Sequence, residues 1–336
     1  MNHSSYTSID SLRLLLKDIE YLYKETKPVL DFYGTIKLHG TNAGIGYDGQ
    51  NLWCQSRSNI ITTKSDNAGF AFFVECNKDY ILELMNRIQT EFSIDLDQNY
   101  IVLFGEWCGS SIQRKVGISQ FDKMFFIFDA KIVSTKDKEQ NYYVDSKLEF
   151  IKSNHSNRIY NIHEFKTYSI QLDLNQLEKA QSDIIKIIEE VEADCPVTSA
   201  LGKNGIGEGV VFRHYYNKTD RFVFKAKGEL HSVTKNKEKV PIKVEKNQNL
   251  IEFVENSVTS NRFEQALEHI YKLNPELSTY GKPYEMKDIR NVIDWVRDDI
   301  LKEERDTIVE NNFEPKQLYP EIAKIASTMF KLKISL

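Results

Sequence analysis

Around residue 246 the spacing of apolar residues changes, and this change limits the folds open to the chain. Ahead of it, short runs at 34–38, 101–104, 125–132, 209–212 and 221–224 are rich in Val, Ile, Phe or Tyr. Gly, Asn or Asp bound them, the signature of strands. Leu177, Ile184, Ile188 and Val191 recur at helical spacing and predict a helix over 174–192. Residues 10–24 and 70–89 read as two more. Beyond residue 245 the period is helical almost throughout, over 248–256, 262–272, 286–305 and 316–332. Pro275, Pro283, Pro315 and Pro320 stand near the expected breaks. The reading is an α+β body over residues 1–240 and a small all-helical C-terminal domain over 247–336, with 235–246 as the linker. A length of 336 residues suits two domains.

The four cysteines, Cys54, Cys76, Cys108 and Cys195, form no CxxC pair and no zinc-finger spacing with histidine. Thiols scattered in this way fit a reducing cytosol, where they pack as small hydrophobes. No basic leader precedes a long apolar stretch, and no run approaches the roughly 20 apolar residues that cross a bilayer. The expectation is a soluble cytoplasmic protein, with a monomer as the default.

Several polar residues sit where strands should emerge. Lys37, in Thr35-Ile36-Lys37-Leu38-His39-Gly40-Thr41-Asn42, follows an apolar run and precedes a glycine. There a side chain can be held while the backbone turns, and a neutral lysine amine is a nucleophile. A solvated lysine at a strand end is the plain alternative. Arg57, in Gln55-Ser56-Arg57-Ser58, offers paired donors that suit phosphate oxygens, or is an ordinary hairpin arginine. Glu106 follows Phe104-Gly105, with Ile112-Gln113 beyond it, and is placed like a carboxylate for a sugar hydroxyl or a metal, or like any strand-end acid. Phe125-Phe126-Ile127-Phe128-Asp129 reads as a doubly buried strand whose last aromatic could stack on a base. Glu208-Gly209 opens another strand. Lys225 and Lys227, two apart, share a strand face and would repel without an anion between them. Gly202-Lys203-Asn204-Gly205-Ile206-Gly207 lacks the full GxxxxGK[ST] pattern and runs into a strand, so it is not a phosphate loop of that type. No HExxH or other histidine spacing supports a catalytic zinc.

In order, Lys37-x-x-Gly40, Ser56-Arg57, Glu106, Phe128, Glu208-Gly209 and Lys225-x-Lys227 resemble the motif series of the covalent nucleotidyltransferases. The stretch from Lys37 to Asn42, with His39 where DNA ligases more often carry Asp, is similar to the RNA ligase 2 family. Ser56 departs from relatives that often carry a basic residue there, and residues 212–216 match no motif. The resemblance implies an ATP-grasp-like ligase domain of antiparallel sheets with flanking helices. It implies that Lys37 attacks the α-phosphate of ATP to form a lysyl-AMP. It further implies that Glu106 holds the ribose, Phe128 stacks on adenine, and Ile36 and Asn42 contact the nucleotide. Glu208 would act at Mg2+, with Mn2+ as a substitute. Lys225 and Lys227 would grip phosphate, Arg57 would contact phosphate of AMP or RNA, and His39 would serve nucleotide handling and sealing. Gln113 is a weaker candidate for RNA contact. The implied substrate is RNA with 3′-OH and 5′-phosphate ends, above all a nick in duplex RNA, in a viral or bacterial setting of RNA repair.

The net charge of −5 speaks against a polyanion partner only as an average. Residues 203–246 hold eleven basic and five acidic side chains, a local balance of +6, whereas the tail from 247 stands at −4. A DNA ligase or a capping guanylyltransferase remains as an alternative enzyme, though no OB-fold pattern follows the lysine motif. A silent RNA-binding protein on the same scaffold is a third reading, against which the four residues Lys37, Glu208, Lys225 and Lys227 speak together.

Overall fold

A computed structural model describes residues 2–66, 68–113, 116–137, 140–144, 148–217, 220–228, 244–273, 284–310 and 313–334. The chain divides into two compact units, Met1–Gly228 and Glu229–Leu336. The expected linker lies outside the described residues as far as 243, and a helix has begun by Val244.

The first unit contains two sheets. One is built from β1 (Asp10–Ser11), β2 (Val29–Lys37), β10 (Thr167–Asp173), β11 (Gly209–Tyr215) and β12 (Arg221–Lys227), in the order β1-β12-β11-β2-β10. The other runs β5-β4-β3-β6-β7-β8, from β3 (Thr41–Tyr47), β4 (Leu52–Ser56), β5 (Ile60–Ile61), β6 (Asn99–Cys108), β7 (Met124–Ser134) and β8 (Tyr142–Tyr143). A short β9 (Ile159–Asn161) joins β7 in parallel, and β1 joins β12 in parallel; the other pairings are antiparallel.

Alternation in β2 explains how the first sheet is covered. Leu30, Phe32 and Ile36 point into a core completed by α1 (Leu12–Leu22) and α4 (Leu177–Ala193), while Tyr33, Thr35 and Lys37 take the opposite face. Ala180, Ile184, Ile188 and Val191 of α4 fall on one buried stripe, as their spacing requires. The second sheet packs Ile45, Ile101, Leu103 and Ile127 against Phe70, Phe73, Ile81, Leu84 and Ile88 of α2 (Phe70–Cys76) and α3 (Lys78–Glu91). Its other side carries Val102, Phe104 and Trp53, so β6 and β7 are apolar on both faces, as their uninterrupted runs suggest.

Three expectations need correction. The helix expected over 10–24 is shorter, because Asp10 and Ser11 pair with Phe224 and Lys225 as β1. The helix expected over 70–89 is two helices parted at Asn77, whose side-chain amide donates to the Phe73 carbonyl at 2.9 Å. Pro320 lies inside the last helix and not at a break. It is exposed, so the carbonyl one turn back that loses its N–H partner can be served by water.

The two sheets are tied by a buried polar cluster. Arg221 of β12 meets Asp129 of β7 at 2.6 Å, with side chains 7% and 3% exposed. Tyr6, on the segment before β1, donates to the same carboxylate at 2.8 Å, and its hydroxyl accepts from Arg221 at 3.1 Å.

The second unit, over its described residues, holds the helices Val244–Ser257, Ser260–Leu273, Ile289–Glu303, Arg305–Glu310 and Pro315–Ile334, and no strand. Its core repeats at helical spacing, with Phe263, Leu267 and Ile270, then Val292, Val296 and Ile300, then Leu318, Ile322 and Phe330. Arg262 joins Asp299 at 2.7 Å and Glu304 at 3.3 Å across these helices. No described helix is long and apolar enough to cross a membrane.

Removing one member of a buried ion pair leaves an uncompensated charge. Asp129→Ala is therefore expected to cost about 3–5 kcal/mol. The double change Asp129→Leu with Arg221→Met is expected to recover most of that loss. Urea denaturation of the three proteins measures both effects, and a single variant as stable as the wild type would contradict the assignment.

Candidate active site

Backbone pairing alone aligns three of the expected residues. Lys37 lies opposite Gly209, and Gly209 lies opposite Lys227, so the two lysines flank a glycine across three adjacent strands. Partners in register share a face, so both lysines leave the sheet on the same side. Gly209 has φ +155°, and a Cβ there would come within 2.1 Å of the Ala226 carbonyl oxygen. The gap between the lysines is thus enforced by the backbone.

Glu208 fills this gap. One of its carboxylate oxygens accepts from Lys37 Nζ at 2.7 Å and lies 3.4 Å from His39 Nδ1, and the other lies 3.3 Å from Lys227 Nζ. The residue is 3% exposed. Burial alone would raise its carboxyl, but Lys37, Lys227 and His39 together hold it well below the usual carboxylate range. Lys225 lies two residues before Lys227, half-buried and opposite Val211.

Residues 38–40 carry the chain from β2 in one sheet to β3 in the other. Gly40 sits where a Cβ would meet the Trp107 carbonyl oxygen at 2.4 Å. Its amide donates to Glu106 Oε1 at 2.8 Å, and its carbonyl accepts from Gln113 Nε2 at 3.3 Å. The turn after Lys37 is therefore held through both backbone polar groups of one residue, Gly40. Glu106 pairs in register with Asn42, and Arg57 stands one residue beyond the Ala43–Ser56 pair, at the same end of that sheet. Burial pushes the Glu106 carboxyl up to about 7. Lys37 pulls it back, nearby Glu208 adds to the rise, and the Gly40 amide and His39 also oppose it. The two glutamates thus stand in opposite electrostatic settings, and Lys37 acts on both.

Phe128 owes its direction to a β-bulge. Phe104 pairs with Asp129 and Gly105 with Ile127, which leaves Phe128 as the extra residue on β7. A bulge changes the phase of side chains, so Phe128 and Asp129 both leave the helix-covered core. The Phe128 ring lies half-buried, 5.1 Å from the Tyr6 ring centroid.

The structure therefore gathers Lys37, His39, Glu208 and Lys227 at one point, with Glu106 and Gln113 joined to it through Gly40. Ile36 is different: its side chain is buried in the core with Phe212 and Leu30, so only its backbone can reach a ligand. Gln113 engages the Gly40 turn, a role that its expected RNA contact did not include. The sequence reading passed over Tyr6, Asp129 and Arg221 as a unit, and nothing in their spacing marks them. Arg213 was also passed over. It is buried, donates to Thr35 Oγ1 at 2.9 Å, and has no carboxylate in ion-pair range among the described residues.

A family model described as RNA ligase matches residues 30–227, which hold all the gathered side chains. The chain belongs to the RNA ligase family. Solved structures similar to it include Naegleria gruberi RNA ligases. One, a mutant with AMP and Mn, is 18% identical, with 68% of this chain and 56% of that chain covered and a TM-score of 0.45. Another mutant, with ATP and Mn, is 21% identical at the same coverage and TM-score. A third structure, with PPi, is 18% identical, covers 68% of this chain and 57% of that one, and has a TM-score of 0.44. The chain spans a little over half the length of these ligases.

The raised Glu106 carboxyl has a measurable consequence. A free glutamate titrates near about 4.3, whereas the folded chain keeps this proton up to about 7. The folded state then binds more protons than the unfolded one across that window, so this group's contribution to stability falls as pH rises through it. Glu106→Gln removes the contribution and keeps the acceptor for Gly40. Its stability relative to wild type is expected to improve from pH 5 to about 7 and to level off above that. A difference that does not change with pH would show Glu106 to be ionised throughout.

Proposed function

We propose that this protein is an ATP-dependent RNA ligase that works through a lysine-bound AMP. The observation that carries the reading is the Lys37–Glu208–Lys227 cluster, two ammonium groups about one buried carboxylate, with Glu106 held across the Gly40 turn. A nucleophilic lysine needs charge around it that an incoming triphosphate can share, and phosphoryl transfer depends chiefly on position and charge neutralisation.

In the first step Lys37 Nζ loses a proton to solvent, and the neutral amine attacks the α-phosphorus of ATP, releasing a second proton to solvent as the bond to nitrogen forms. A P–N bond forms, the bridging P–O bond to the β-phosphate breaks, and pyrophosphate leaves. Lys227 and Lys225 stand on the side of the cleft where the α-phosphate must sit, and both can neutralise its oxygens. Phe128 offers a face for the adenine, Glu106 holds the ribose, Asn42 serves nucleotide handling, and Arg57 contacts a phosphate of AMP or of the RNA. In the second step an oxygen of an RNA 5′-phosphate attacks the AMP phosphorus. The P–N bond breaks and an RNA-adenylate is released from Lys37. In the third step the RNA 3′-hydroxyl attacks the 5′-phosphate phosphorus, AMP departs, and the phosphodiester is made. His39, beside Glu208 and partly exposed, serves these later steps.

A divalent cation suits this site only in a particular way. Among the described residues no group of three or more His, Cys, Asp or Glu side chains could cage an ion. Mg2+, however, is commonly held by one or two carboxylates together with substrate phosphates and water. Glu208 is such a carboxylate, ionised and buried, with Mn2+ an acceptable replacement for the same oxygen donors. When bound, the cation would supply further neutralisation of phosphate charge. Nicked duplex RNA with 3′-OH and 5′-phosphate ends is the proposed substrate. The body over 1–240 carries the chemistry, the helical part over 247–336 is a clamp or positioning domain, and the enzyme acts as a monomer.

Incubation with magnesium and ATP labelled at the α-phosphate is expected to yield an acid-labile protein-bound AMP, and Lys37→Ala to yield none. Wild type that stays unlabelled would sink the ligase reading, and labelling from GTP instead would turn it toward capping. Lys227→Ala is expected to lower adduct formation by about 10²-fold or more while the fold persists. A fully active variant would refute its place at the phosphate. Joining of nicked DNA but never of nicked RNA would overturn the substrate.

A further inference from the structure

The glycine-rich stretch 202–207, which is no phosphate loop, still ends directly at Glu208. Its contacts lie against the loop that follows β6, the strand of Glu106. Gly117 N donates to the Ile206 carbonyl at 2.8 Å, and Gln120 Nε2 donates to the Asn204 carbonyl at 2.8 Å. Lys203 Nζ returns a bond to the Gln120 carbonyl at 2.6 Å and lies 4.6 Å from the Phe121 ring centroid. The two backbones touch: a Cβ on Gly205 would come within 2.4 Å of Gly117 Cα. Each side is anchored in turn. Gly205 N donates to Asp194 Oδ1 at 2.9 Å, and its carbonyl accepts from Cys195 N at 2.7 Å, at the end of α4. On the other side, Ser110 N bonds the Phe121 carbonyl at 2.8 Å and closes the base of the loop that carries Gln113.

These contacts join the end of β6 to the start of β11, that is, one sheet to the other beside Lys37. They complete a circuit that runs from Lys37 to Glu208, through 202–207 and 117–121 to Gln113, and from Gln113 through Gly40 back to Lys37. A circuit of this kind fixes the spacing between a carboxylate on one sheet and a carboxylate on the other, which neither sheet's own hydrogen bonds can set. We propose that residues 202–207 form a positioning clasp for adenylyl transfer, in which Gly205, Lys203 and Gln120 hold the two halves of the site in register without touching the nucleotide. The proposal rests on the adenylyl-transfer reading of Lys37.

The test measures AMP transfer to the protein in a single turnover, over a range of ATP concentrations with magnesium. It uses the full chain as wild type, Gln120→Ala, Lys203→Ala, Lys203→Arg and Gly205→Ala. Gln120 and Lys203 are exposed, so their variants should melt close to wild type. Both alanine variants are expected to lose roughly 10-fold in the rate at saturating ATP, with the half-saturating ATP concentration unchanged. Lys203→Arg, which keeps a donor and a cation over Phe121, should restore the rate. Gly205→Ala should lose more, and if it fails to fold, the two side-chain variants decide. Folded variants with the wild-type rate overturn the clasp. So does a raised half-saturating ATP concentration at an unchanged rate, which would make the stretch a nucleotide contact. A wild type that forms no adduct removes the reaction and the clasp with it, whereas a labelled wild type beside unaffected variants removes the clasp alone.

Discussion

One buried carboxylate organises the candidate active site of this molecule. Glu208 is nearly closed to solvent, so its carboxylate would be costly unpaired, and it meets Lys37 and Lys227, whose side chains are 24% and 22% exposed. With a single negative group between two ammonium groups and a histidine, the local sum is positive. The cluster is therefore satisfied as a fold and still favours an arriving polyanion. Under the proposed reaction, phosphate oxygens take over part of what Glu208 now does, and Lys37 Nζ reacts once it has lost a proton. The same feature that stabilises the resting site thus leaves it open to an anion.

Two sheets are needed for this arrangement, and their separation is a second constraint. One sheet brings Lys37, Glu208 and Lys227; the other brings Glu106, Asn42, Phe128 and the approach to Arg57. They are linked at one end through the Gly40 turn and at the other through Arg221, Asp129 and Tyr6. Polar contacts cross between the sheets at both places, from the Gly40 amide to Glu106 and from Arg221 and Tyr6 to Asp129. Local departures from regular pairing aim the site, above all the bulge that frees Phe128 from the covered face.

The sequence made much of this legible, for physical reasons. Apolar runs at 101–104 and 125–132 marked β6 and β7 because both faces of those strands are buried. The Leu177 to Val191 stripe marked α4 because one helical face meets the core. Lys37, Glu208 and Lys227 stand out by their order along the chain, which resembles a known motif series, since each alone reads as ordinary charge at a strand end. What stayed hidden depends on contacts far apart in the chain. β3, with Gly44 and Gly46, carries too few apolar side chains to announce a strand, and it exists because β4 and β6 pair with it on either side. The break at Asn77 and the helix through Pro320 are decided by packing and solvent, not by local preference. Tyr6 and Asp129 are 123 residues apart and meet only once the second sheet has formed.

Gly209 carries a last consequence. With no side chain of its own, it separates Lys37 from Lys227 by two strand spacings, about 9–10 Å between their backbones. That interval is a ruler made of peptide hydrogen bonds, and no side chain on either lysine strand sets it. Drift at neighbouring positions leaves the ruler unchanged, whereas a slip of one residue in the hairpin of β11 and β12 would turn Lys227 to the opposite face. Evolution should therefore accept new residues within this hairpin more readily than a change in its length.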